Sequence, residues 1–176
     1  MSGTRVGDGL ATGADLVRAA ETAVAEALVP LAGLVPDLAC VFVSGSDPDE
    51  CAAALARAAE LTGARNVVGC NAHGVFAAGR AVEAESGVSV WVAHLPAVSV
   101  RAFHLEVLRT SDSIAVLGMP ERRDDDVVAV LLADHFLNNS QATRSCISRI
   151  APASLSIGCI CTTGKNRTGP SRTQTV

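Results

Sequence analysis

The chain changes character at residue 136. All 18 acidic groups lie before residue 137, set against nine arginines for a balance of −9. The last forty residues carry four arginines, one lysine and no acid, a balance of +5, so the formal charge of the whole is −4. The tail is crowded with Ser and Thr and has one short apolar run, Leu155 to Cys161. A folded core needs sustained apolar periodicity, so residues 1–136 are expected to hold the domain. Residues 137–176 read as a linker, a disordered basic tail or a stretch of different origin.

A length of 176 residues suits one sizeable core rather than two. Apolar residues make up 49% but aromatics only 3%, with one Trp and no Tyr, so the core is expected to be Val, Leu and Ala. The acidic balance argues against nucleic acid or an anionic membrane as the main partner. No apolar run approaches the roughly 18 to 20 residues of a membrane helix. The start has no charged segment leading into an apolar one, so an export signal is not expected. The six cysteines (40, 51, 70, 146, 159 and 161) include no C-x-x-C pair and are expected to be reduced thiols in the cytoplasm.

Asp15 to about Val29 reads as a helix, with Leu16, Ala20, Val24, Ala27 and Leu28 on one stripe and Pro30 ending it. Leu38 to Val43 is a continuous apolar run of strand length, as for a strand buried on both faces. A second helix is signalled by Asp47 as its cap, Pro48 in the first position and Glu50 in the third. Cys51, Leu55, Ala58, Ala59 and Thr62 follow at helical spacing, and Gly63 closes it. Asn66 to Cys70 is a further short strand, completing a βαβ unit. Val88 to Ala93 and Val98 to Val107 alternate around a turn at Leu95 to Ala97 and read as an antiparallel pair. Val127 to Ala133 returns to the buried style. The expected class is α/β, a mixed sheet with a βαβ unit, an antiparallel hairpin and packed helices, incomplete at its end.

Ligands of such sheets bind beyond the carboxyl ends of parallel strands. Three ends are available: Ser44 to Ser46, Cys70 to Gly74, and Asp134 with His135. The second holds a thiol, a carboxamide and an imidazole within four residues, between Gly69 and Gly74. It reads either as a pocket in which Asn71 and His73 hydrogen-bond a ligand, or as a turn whose polar groups face water. Cys70 with His73 also has the composition of a nucleophile and its base, although no third, orienting group is evident. His94 and His104 are two imidazoles where a metal wants three or four ligands, so they read as sheet-surface residues. Trp91 and Phe103 read as packing. Gly158 to Asn166 imitates a phosphate loop, but it has one residue too many between the glycines and Asn where Ser or Thr belongs.

Pro36 to Ser44, Val67 to Glu83, Val88 to Pro96 and Val100 to Glu106, taken in that order, resemble the N-terminal FIST domain. The likeness covers about residues 5 to 136 and stops near His135 or Leu137. Gly69 and Cys70 match the family's Gly-Cys, whereas Asn71 and His73 depart from it. The resemblance implies a non-catalytic sensory module of bacterial signal transduction that binds a small ligand and passes its state to a histidine kinase or cyclase. Some members bind haem. It also implies a partial domain over 1–136, truncated or shifted in frame thereafter, because family members continue into further FIST sequence. Ser44, Cys70, Asn71, His73 and Asp134 are the expected ligand-binding residues. The alternatives are a cysteine-dependent enzyme using Cys70 and His73, and a fragment without function.

Overall fold

Two side-chain-capped helices lie on one face of a four-stranded sheet. The computed structural model describes residues 3–83, 85–109, 114–118, 120–121, 123–133 and 155–162. Strand β1 (Arg5–Thr12) precedes helix α1 (Leu16–Leu28), whose N-cap Asp15 accepts from the Arg18 amide at 3.0 Å. A 3₁₀ turn at Val29–Leu31 follows, with Pro30 inside it. Strand β2 (Leu38–Ser44), helix α2 (Pro48–Thr62) and strand β3 (Val67–Asn71) form the expected βαβ unit, β2 and β3 being parallel.

Asp47 caps α2 by accepting from the amides of Asp49 at 2.8 Å and Glu50 at 3.3 Å, and Gly63 ends the helix at a φ of 57°. Two donors that helix geometry orphans are thereby satisfied. Asp47→Ala is expected to cost about 1 kcal/mol in a urea titration, with the slope unchanged.

After β3 come the short strands β4 (Val75–Ala77) and β5 (Arg80–Val82), then β6 (Gly87–His94). The first sheet has the order β1-β6-β2-β3, with β6 antiparallel to both β1 and β2. Strand alternation divides its side chains between two faces. Ala39, Val41, Val43, Val88, Val90 and Val92 meet Ala20, Ala23, Val24, Ala27, Cys51, Ala54, Leu55 and Ala58 of the helices in one buried core. Each valine so buried contributes about 1.5 kcal/mol or more.

The other face carries two smaller covers. Hairpin β4–β5 lays Val75, Ala77 and Val82 on Leu10 and Phe42. A second sheet, of β7 (Ser99–Arg109), β8 (Ile114–Leu117), β9 (Asp126–Ala133) and β10 (Leu155–Thr162), is antiparallel throughout in the order β8-β7-β10-β9. Val100, Ala102 and Leu132 from it pack against Leu38, Cys40 and Val68.

One expectation is corrected here. Strands β6 and β7 do not pair with each other, since β6 lies between β1 and β2 while β7 lies between β8 and β10. The Val98 amide closes a turn on the Leu95 carbonyl at 3.1 Å, and the Leu95 amide is taken by Asp37 Oδ2 at 2.7 Å. The chain therefore leaves one sheet and enters the other at that turn. Within the basic segment, β10 runs between β7 and β9. Its apolar run from Leu155 to Cys161 provides the strand pattern.

In the second sheet Arg101 Nη2 lies 2.8 and 2.9 Å from the two Asp126 oxygens, and the Arg123 amide donates to Asp126 Oδ2 at 2.8 Å. The Arg123 amide first, then the Arg101 guanidinium, hold the Asp126 carboxyl below the usual carboxylate range. A depressed folded value stabilises the fold above the unfolded value of about 3.9, and that stability is lost as pH falls through the folded value. Amide exchange at Arg123 and Asp126 is expected to stay slow at pH 5 and to accelerate below pH 4, beyond the intrinsic change. Asp126→Asn is expected to abolish that step.

Candidate functional site

The register aligns Thr12 with Gly87 and Gly87 with Ser44, so the carboxyl ends of β1, β2 and β3 share one end of the first sheet. Alternation sorts the sequence-predicted residues there. Ser44 has the parity of Phe42, on the face away from the helices. Cys70 has the parity of Val68, on that same face. Asn71 has the parity of Val67, which packs on the helix-side core. The structure thus brings Ser44 and Cys70 to one face and Asn71 to the other.

Ser44 is buried, and its hydroxyl donates to the His73 carbonyl at 3.1 Å. The Ala72 amide donates to the Val43 carbonyl at 2.8 Å, so two hydrogen bonds tie the loop after β3 to the end of β2. The His73 side chain is exposed and Cys70 is half-buried. Asn71 Oδ1 is buried without a hydrogen-bond partner, an acceptor left for a donor to meet. Asp134 lies outside the described residues.

Cys51 sits beside this end, its sulfur 2.9 Å from where a Cβ on Gly45 would stand. Burial first, then the negative charges of Asp47 and Glu50, push its thiol pKa up. It is held as the protonated thiol, a poor nucleophile. Among the described residues, no group of three or more His, Cys, Asp or Glu is placed to hold a metal ion. His94 and His104 stand on strands of different sheets.

Sequence reasoning missed a polar cluster at the opposite end of the sheet. Asp37, buried just before β2, accepts from Arg65 Nη1 at 2.8 Å and from the Leu95 amide at 2.7 Å. His94 Nδ1 is 3.0 Å from the Val35 carbonyl and 3.4 Å from Asp37 Oδ2. The Asn66 side chain donates to the Asp37 carbonyl at 3.0 Å and accepts from the Ala102 amide of β7 at 3.2 Å. An acid between Pro36 and a run bound for the core was the available signal.

These features define an α/β domain whose parallel strands end in a loop fixed by hydrogen bonds. No protein-family model matches the chain. It is 30% identical over 163 residues to the uncharacterised protein Rv0628c of Mycobacterium tuberculosis, covering 93% of this chain and 42% of that protein. It is 27% identical over 163 residues to the uncharacterised protein Mb0898c of Mycobacterium bovis, again with 93% and 42% covered. The chain spans less than half the length of these curated relatives. A match covering 93% of the chain also runs past residue 136, into the basic segment.

Among the described residues, no helix is long and apolar enough to cross a membrane.

Proposed function

We propose that the chain is a small-ligand-binding sensory module of the FIST type, cytoplasmic and without catalysis of its own. One observation carries the reading: the end of the parallel pair is a fixed polar loop, with the Ser44 hydroxyl committed to a backbone carbonyl and the buried Asn71 Oδ1 open to a donor. A hydroxyl held on a carbonyl is an anchor rather than an activated nucleophile. Alternation also sends Cys70 and Asn71 to opposite faces, so the loop does not gather all its chemistry at one reacting atom. Sensing would be relayed to a histidine kinase or cyclase partner.

The test is a thermal-shift screen with small ligands on the whole chain. A ligand that binds only the folded state stabilises it by about 2.7 kcal/mol at a hundred times its Kd. Stabilisation without turnover supports the reading. Turnover abolished by Cys70→Ala with the fold retained would replace it with the enzyme. Haem is tested in the same screen by absorption: a well-formed Soret band on its addition names it as the ligand, and absence of the band excludes it.

A further inference from the structure

Hairpin β4–β5 is fastened to the rest of the domain at both ends. At its base the His73 carbonyl accepts from Ser44; at its tip the Ala78 amide donates to Asp8 Oδ2 of β1. Ala78 and Gly79, at φ values of 50° and 73°, make the two-residue left-handed turn that suits so tight a hairpin. Its strands have three residues each, and only Val75, Ala77 and Val82 are buried. Phe76 is 78% exposed on the outer side, with its cross-strand partner Ala81, and Arg80, which shares the inner parity of Ala77 and Val82, is exposed as well. A two-stranded hairpin of this size is not stable alone, so its closure depends on that small apolar contact and the exposed hydrogen bond at the tip.

Beneath it the register sets Leu10, Ser89, Phe42 and Cys70 in one row across β1, β6, β2 and β3. Leu10 and Ser89 are buried. The next row holds Asp8, Trp91 and Cys40, with Trp91 38% exposed at the hairpin's margin. The row is apolar with a hydroxyl in its middle, and Ser44 and Cys70 have the parity of the same face.

We propose that hairpin β4–β5 is a hinged strap, latched at its tip by Asp8, and that it opens a slot floored by Leu10, Ser89, Phe42 and Cys70. The slot takes a small, mostly apolar ligand bearing one polar group for Ser89. This rests on the ligand-binding reading above and gives that ligand a class and an entry route.

The experiment compares the whole chain with Asp8→Ala and Asp8→Asn. Amide exchange is read by NMR across Val75–Val82 and at Val90 and Val92, and binding of anilinonaphthalene sulfonate is followed through energy transfer from Trp91, the single tryptophan. Losing a hydrogen bond to a carboxylate corresponds to about a tenfold change or more. Asp8→Ala is therefore expected to speed strap exchange about tenfold, with Val90 and Val92 unchanged, and to tighten probe binding by a similar factor. Asp8→Asn, which keeps an acceptor, is expected to fall between. Strap exchange that does not change, exchange rising equally at Val90 and Val92, or faster strap exchange with no gain in probe binding would each overturn the proposal. If the strap and probe respond while the screen finds no stabilising ligand, the sensory reading fails and the strap stands.

Discussion

Gly9→Val is expected to lower the melting temperature by roughly 6 to 12 °C, from about 3 kcal/mol of overpacking in a chain of this size. A Cβ on Gly9 would stand 2.1 Å from the Ala23 carbonyl oxygen, and one on Gly7 the same distance from that of Ala27. Both obstacles are helix backbone, which has no rotamer to yield, so α1 would have to lift off β1. Lifting it would open the contact of Ala20, Ala23, Val24 and Ala27 with the sheet, the largest core in the described structure. Gly3, with nothing within 4 Å of its added Cβ, is the control, and Gly3→Ala is expected to melt with the parent. Circular dichroism melts of the three proteins decide it. A Gly9→Val protein melting within 2 °C of the parent would show that α1 does not sit as closely as described.

Asp37→Ala is expected to cost about 3 kcal/mol, read as a lower urea midpoint. The Asp37 side chain is only 8% exposed, whereas that of Arg65 is 59% exposed, so solvent screens their ion pair and it contributes little. The weight falls on the Leu95 amide, which donates to the carboxylate at 2.7 Å where the chain crosses between sheets. Alanine leaves that amide without its partner, and its exchange is expected to accelerate. Asp37→Asn keeps an acceptor of the same size and is expected to cost about half as much. Equal midpoints for parent and Asp37→Ala would show that the crossing is held by other contacts.

How far the fold was legible follows from where each instruction sits in the chain. The helices were readable because their signals are local: Asp47 is a cap by type and place, and Leu16 to Leu28 and Cys51 to Thr62 repeat at helical spacing. The strand of Leu38 to Ser44 was readable because both faces are covered, one by the helices and the other by the hairpin and second sheet. Strand β1 was not readable. Its Gly7 and Gly9 are poor strand formers, and they are there because α1 approaches the sheet too closely for a side chain. The β4–β5 hairpin went unread because strands of three residues are too short to show a period. Of the loop after β3, composition showed the cluster of polar side chains, but only the pleat separates Asn71 from Ser44 and Cys70.

The sequence by itself determined the class: two helices, the second with its cap, a βαβ unit, a Val- and Ala-rich core and a change of charge at residue 136. Periodicity, caps and charge are set by neighbours a few residues apart, and need nothing else to be read. Only the tertiary structure decided which strands pair, that β6 and β7 belong to different sheets, and that part of the basic segment lies between β7 and β9. Strand pairing is a choice among distant backbones offering the same hydrogen-bonding groups. Here it is tipped by contacts the linear pattern does not carry: a carboxylate taking one amide at a turn, and two glycines that let a helix come down on a strand.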